Sequence, residues 1–215
     1  MNTKVLIADD HALVRQGIRS LLGDASDLEI VGEATDGRET VMLCEQLRPD
    51  IAIIDISMRE LHGIEAIAQV RRKSPTTVII ALSMFGEERY VTRAVRAGAK
   101  AYVLKDSSGE DLLQAIRAVQ QGQSFFSPSV AKVMLEAYSR GLDGVIVEDK
   151  YELLTDRERE IYQMLAEGKT NKVIADQLGL KMHTVETHRL RVMNKLDVHN
   201  MAQLVLSAVR RGVVA

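Results

Sequence analysis

Five times between residues 4 and 121, a short apolar run gives way to a segment whose apolar residues recur at helical spacing. The runs are 4–8, 28–34, 51–54, 78–82 and 101–104, and the helical segments are 13–22, 39–47, 64–72, 87–97 and 111–121. The runs are too short to be helices and are bounded by turn residues, so they read as buried strands. Gly23, Pro49, Pro75 and Gly98 stop chain segments, and Asp36-Gly37 marks a turn. Few folds accommodate such an alternation. Parallel strands need crossovers, and the crossover helices cover both faces of the sheet. Residues 1–125 are therefore expected to form a doubly wound, five-stranded parallel α/β domain, with ligands at the carboxyl ends of its strands.

The chain has 215 residues, enough for a second small domain. Val130, Val133, Met134, Ala137 and Tyr138 form a helical stripe, and residues 140–152 are rich in Gly and acid. Residues 126–150 are thus read as a linker helix and a flexible linker. From 151 to 215 only helices are expected: 155–167 opened by a Thr155/Glu158 capping box, 171–178 ended by Gly179, 184–196, and 200–211. Charge divides along the same line. The first 150 residues carry 18 basic and 22 acidic side chains; the remainder carry 10 and 8. An acidic front and a mildly basic back suit different partners.

Aromatic residues are only 4% and Trp is absent, so aliphatic side chains and Met must fill the cores. One cysteine, Cys44, cannot form an internal disulfide; it reads as a small buried hydrophobe in a reducing compartment. The amino terminus lacks signal-peptide character, and no apolar run approaches the ~18 residues of a membrane span. A soluble cytoplasmic protein with no membrane partner is expected.

Residues at the strand ends carry the chemistry. Asp9 and Asp10 follow the first strand, Asp55 the third, Ser83 the fourth and Lys105 the fifth. Converging carboxylates repel unless a cation compensates, and Mg²⁺, a hard cation, suits oxygen ligands. Such a metal would neutralise charge on a phosphoryl group moving to a carboxylate nucleophile. A hydroxyl and an ammonium complete a phosphoryl-handling set. Singly, each residue has a plainer role: Asp-Asp as a helix cap, the others as turn or surface residues. Together, at successive strand ends, they are read as one site.

On the Asp9-Asp10 pair, Asp55, Ser83 and the ending Tyr102-x-x-Lys105, residues 1–125 resemble the receiver domains of two-component signalling, which have the flavodoxin-like fold. The resemblance implies that Asp55 accepts phosphate from a sensor histidine kinase. It implies Mg²⁺ on Asp10, Asp55 and the backbone carbonyl of Ser57, with Asp9 holding metal-bound water. It also implies Ser83 and Tyr102 as a switch pair. One position departs. The family usually reads Asp-x-x-Met-Pro-x-x-x-Gly, and here Met58 and Gly63 match but Arg59 replaces proline. Loss of proline's restraint is expected to loosen this loop and alter phosphorylation or dephosphorylation rates.

In the back half, 171–178, Gly179 and 184–196 have the outline of a helix-turn-helix. Val185, Val192, Met193 and Leu196 are expected to pack inward. Glu186, Thr187, Leu190, Arg191 and Asn194 lie roughly opposite, on a face that suits a major groove. Lys181, His183, Thr184, His188, Arg189, Arg191 and Lys195 are placed as further contacts, the cations reaching phosphates. A helical bundle with a solvated charged face would have the same periodicity. The segments Leu154–Glu160, Gly168–Lys172, Ile174-Ala175, Thr184–Arg189 and Lys195-Leu196 closely resemble the LuxR-type helix-turn-helix. Joined to a receiver, the pattern resembles the NarL/FixJ group of response regulators, which implies a dimer contact on the last helix. Glu186 and Leu190 stand where this family often has Lys. Five dispersed histidines show no metal-ligand spacing.

The function expected is therefore a phosphorylation-gated transcription regulator rather than an enzyme. Its expected partners are a sensor kinase, double-stranded promoter DNA and a second copy of the chain, with RNA polymerase a further candidate. Two rivals remain open at this point. An aspartyl-phosphate phosphatase would use similar acids, but as Asp-x-Asp on one strand. A protein-interaction module would direct the helical domain at a protein instead of DNA.

Overall fold

A computed structural model describes residues 2–142 and 150–214, which fall into two compact units, 1–145 and 146–215. In the first unit the strands are β1 (Thr3–Ala8), β2 (Leu28–Ala34), β3 (Ile51–Asp55), β4 (Val78–Ser83), β5 (Ala101–Leu104) and β6 (Phe125–Phe126). The helices are α1 (Ala12–Gly23), α2 (Gly37–Leu47), α3 (Gly63–Lys73), α4 (Glu88–Ala97), α5 (Gly109–Gln120) and α6 (Pro128–Leu142). All strands run parallel in the order β2-β1-β3-β4-β5-β6.

Strand alternation divides the core in two. Leu6, Ala8, Ala52, Ile54, Ile79, Ala81 and Tyr102 point to one face, where α2, α3 and α4 bring Val41, Cys44, Ile67, Val70 and Val91. Val5, Ile7, Ile51, Ile53, Ile80, Leu82, Ala101 and Val103 point to the other, under Ile18 and Leu22 of α1 and Ile116 and Val119 of α5. The central strands β1, β3, β4 and β5 are therefore apolar on both sides, as a covered parallel sheet requires, while the edge strand β2 carries Glu29 and Glu33. Cys44 is fully buried as expected, and burial pushes its thiol up to about 12.

Two expectations change. The sheet has six strands, because Phe125 and Phe126 pair with Ala101 and Tyr102. A two-residue edge strand is too short to produce a readable period. The helix assigned to a linker packs on α4, with Val130 in the core and Met134 against it. Most of the flexible linker, 143–149, lies outside the described residues. A smaller change concerns Asp36-Gly37, which opens α2 rather than making a separate turn. The Asp36 side chain accepts from the backbone N–H groups of Arg38 and Glu39.

The second unit opens with a 3-10 turn, Lys150–Leu153, followed by α7 (Asp156–Ala166), α8 (Asn171–Leu178), α9 (Met182–Leu196) and α10 (Met201–Arg210). The capping box forms as expected: the Thr155 hydroxyl accepts from Glu158 N–H and the Glu158 carboxylate accepts from Thr155 N–H. Gly179, at φ 62°, turns the chain from α8 toward α9 in a left-handed conformation that favours glycine. Ile161, Tyr162, Ile174, Val185, Val192 and Leu204 meet in one core. No helix among the described residues is long and apolar enough to cross a membrane.

Candidate functional site

Strand register brings the strand-end residues together. Ala8 pairs with Ile54, Asp55 with Leu82 and Ser83 with Leu104, so β1, β3, β4 and β5 end nearly level. Asp9 and Asp55 are almost wholly buried, at 0% and 1% exposure. Lys105 lies between them, its Nζ 2.7 Å from Asp9 Oδ2 and 2.9 Å from Asp55 Oδ2. Burial, reinforced by the neighbouring Asp9 carboxylate, holds the Asp55 carboxyl above its ordinary pKa of 3.8. Burial alone would lower the Lys105 ammonium, but the two carboxylates prevail and raise it above 10.5. Arg15 of α1 steadies the loop from below, donating through Nη1 to the Asp9 carbonyl at 2.7 Å.

The loop after Asp55 is built against this site. Ser57 N–H donates to Asp55 Oδ1 at 3.2 Å, and Ile56, Met58 and Leu61 are buried. Gly63 N–H donates to the Ile56 carbonyl, and a Cβ on Gly63 would stand 2.0 Å from the Asp55 carbonyl oxygen. Only glycine permits that approach. Leu61 N–H donates to the Arg59 carbonyl at 2.7 Å, closing a tight turn about Glu60 at φ 65°. The segment without the usual proline thus carries a backbone turn of its own. The Arg59 side chain turns to the site, its Nε 3.4 Å from Asp10 Oδ2.

Sequence reasoning missed two participants. His11 Nδ1 lies 2.8 Å from Asp10 Oδ1 and 3.3 Å from Asp9 Oδ1; adjacency to the acid pair was its only sequence signal. Glu65, buried in α3, meets Arg93 of α4 at 3.3 Å and ties the loop's helix to its neighbour. A buried Glu within an apolar helical face was the available clue.

The fourth and fifth strand ends also meet. Ser83 Oγ accepts from Phe85 N–H at 3.0 Å, and the Tyr102 hydroxyl donates to the Phe85 carbonyl at 2.5 Å. The Tyr102 ring is fully buried, and burial pushes its phenol above the ordinary 10. Phe85 in turn stacks on Tyr90 of α4, with ring centroids 4.7 Å apart.

The donor set fits a hard divalent cation. One ligand atom from each of Asp9, Asp10, His11 and Asp55 lies within 4.8 Å of the others. Buried oxygens of Asp9 and Asp55 face the Lys105 ammonium and one of Asp10 faces the His11 imidazole; each carboxylate oxygen has a second lone pair to offer a cation.

On α9, Val185, Val192 and Leu196 are buried and Met193 is packed against the core, as expected. His183, Glu186, Thr187, Leu190, Arg191 and Asn194 share one exposed face, and Lys181, also exposed, caps the helix start. Thr184, His188 and Arg189 are half-buried. Burial lowers the His188 imidazole below its ordinary 6.5, with Glu158, Arg191 and Arg157 its charged neighbours. Lys195, placed by the sequence among the phosphate contacts, is held within the domain here: its Nζ is bound to Glu158 Oε2 at 2.6 Å and to the Leu153 carbonyl at 2.9 Å. Those contacts lie at the first turn of α7, which holds Glu158. Helical spacing places 195 near 191, but the pull of a buried carboxylate was not visible in it.

Residues 5–117 match the family model described as response regulator receiver domain, and 152–208 match that of bacterial regulatory proteins of the luxR family. The response regulator protein VraR of Staphylococcus aureus is 35% identical over 214 residues, covering 100% of both chains. The RcsB response regulator of Salmonella typhimurium, in a structure described in terms of conformational dynamism for DNA interaction, is 30% identical; the match covers 97% of this chain and 99% of that one, with a TM-score of 0.60. A solved RcsB–DNA complex is 29% identical, with coverage of 97% and 100% and a TM-score of 0.60.

Proposed function

The chain belongs to the two-component response regulators that join a receiver domain to a LuxR-type helix-turn-helix, the NarL/FixJ group, and from that premise we propose that Asp55 is its phosphoacceptor. The observation that carries this reading is the strand-end cluster: a buried Asp55 bridged to Asp9 by Lys105, with Asp10 beside them. An Asp55 carboxylate oxygen attacks the phosphorus of a kinase phosphohistidine. The new O–P bond forms as the P–N bond breaks, and the imidazole departs with the electron pair.

Lys105 then pairs with a phosphoryl oxygen, exchanging part of its contact with Asp55. Ser83, released from Phe85 N–H, donates its hydroxyl to another. Tyr102, hydrogen-bonded to the same Phe85, registers that rearrangement. Asp9, Asp10, Asp55 and the Ser57 carbonyl would hold Mg²⁺, which supplies charge neutralisation for the transferring phosphoryl group. Arg15 and Gly63 keep the Asp9 and Asp55 backbones in place.

Phosphorylation biases a pre-existing equilibrium toward a form that binds double-stranded promoter DNA as a homodimer. The exposed face of α9 enters the major groove. Leu190 meets a thymine methyl and Glu186 accepts from a cytosine amine, while Lys181 and Arg191 contact phosphates. A sensor histidine kinase supplies the phosphate, RNA polymerase is a candidate downstream partner, and the protein works in the cytoplasm as a regulator rather than a turnover enzyme.

Intact mass after incubation with acetyl phosphate and Mg²⁺ tests the acceptor. One phosphate adduct in the natural chain and none in Asp55→Ala is expected. An adduct of equal yield in Asp55→Ala overturns the assignment.

A further inference from the structure

Arg59 is the one position in the acceptor loop where this chain departs from the family's Asp-x-x-Met-Pro-x-x-x-Gly pattern, and it faces the site. Its backbone is held by the tight turn over Glu60, and its Nε lies 3.4 Å from Asp10 Oδ2. The other oxygen of Asp10 faces His11 Nδ1 at 2.8 Å. Asp9 and Asp55 are already bridged by Lys105. Asp10 is therefore the carboxylate whose charge compensation falls to Arg59, through a side chain that is 77% exposed and can swing away without disturbing the core.

We propose that Arg59 is a positioning residue that competes with the divalent cation for Asp10. The guanidinium holds Asp10 Oδ2 in the metal-free protein and must release it before that oxygen can serve as a ligand. A proline there has no charge and no reach, so it offers no such competition. The consequence is a receiver that loads at higher Mg²⁺ concentration than its fold alone would require. The Arg59 end of the pair is open to solvent while Asp10 is mostly buried, and that exposure of the guanidinium keeps the effect small: about three-fold in affinity. Screening by salt reduces it further.

This inference rests on the reading of Asp10 as a metal ligand. The test titrates MgCl₂ against the full chain and follows the rise in the receiver's unfolding temperature, which reports the dissociation constant by linkage. Arg59→Gln and Arg59→Pro are expected to bind Mg²⁺ about three-fold more tightly than the natural chain at low salt. Arg59→Lys is expected to stay close to the natural chain, and the Gln advantage should shrink as NaCl is raised. Affinity in Arg59→Gln equal to or weaker than natural overturns the competition while leaving the metal site intact. Tightening confined to Arg59→Pro overturns it too, since that outcome belongs to loop geometry rather than charge. No saturable Mg²⁺ effect in any variant overturns both the competition and the metal site beneath it.

Discussion

The two functional regions handle charge in opposite ways. At the strand ends of the first unit, acids are buried and matched: Lys105 bridges Asp9 and Asp55, and Arg59 and His11 flank Asp10. On α9 of the second unit, Lys181, His183, Glu186 and Arg191 are exposed to solvent. The first arrangement stores electrostatic free energy that a bound phosphoryl group can redirect. The second leaves its groups hydrated until a polyanion displaces water and counterions. A switch needs the former and a reader of DNA needs the latter.

The sharpest way to break that contrast is Gly63→Ala. The added methyl meets the Asp55 carbonyl oxygen at 2.0 Å, and both partners are backbone. The receiver should lose about 3 kcal/mol by calorimetry, whereas Glu186→Ala on the exposed face should stay within about 0.5 kcal/mol. Lys105→Met leaves two buried carboxylates without their common cation. A loss of about 3 kcal/mol at neutral pH is expected in chemical denaturation, and a loss below about 0.5 kcal/mol would mean that water replaces the ammonium readily.

Glu158 sharpens the comparison from the other side, because it is a buried acid in the domain whose working face is exposed. Its burial would raise the carboxyl, but the Lys195 ammonium and the Thr155 groups prevail and hold it below its ordinary 4.5. A depressed folded-state pKa stabilises the fold above the unfolded value and is lost as pH falls through the folded one. The helix-turn-helix unit should therefore weaken below about pH 4.5, and Glu158→Gln should flatten that acid limb while costing about 1–2 kcal/mol at pH 7. Arg191→Ala should reduce the log–log salt slope of DNA binding by about one. Lys195→Ala should leave the slope unchanged and appear instead as lower thermal stability. A smaller effect, of opposite sign, is expected at Glu60, where φ is 65°; Glu60→Gly should stabilise the receiver by about 1 kcal/mol in denaturant melts.

Much of this was legible in the sequence because it depends on period and position. Alternating runs and helical segments define the sheet, and strand ends place Asp9, Asp10, Asp55, Ser83 and Lys105 side by side. Thr155 and Glu158 announce their own capping box. What was hidden depends on tertiary partners. The β6 pair is too short for a period, and α6 docks through single residues such as Val130. Lys195 looked like a phosphate contact until the buried Glu158 supplied a nearer anion. Glu65 and Arg93 lie 28 residues apart, a pairing that no local pattern marks.

The approach of Gly63 to the Asp55 carbonyl has a mechanical consequence. Strand end and helix start touch backbone to backbone, so α3 has no travel left toward Asp55. That seam is stiff in compression. Slack is left instead at the 84–87 segment leading into α4, where the strand end is joined to the helix through the Ser83, Phe85 and Tyr102 contacts. With Asp55 as the proposed phosphoacceptor, a change there is expected to pass sideways along the rim of the sheet toward α4, because the close backbone contact at Gly63 leaves α3 little room to move.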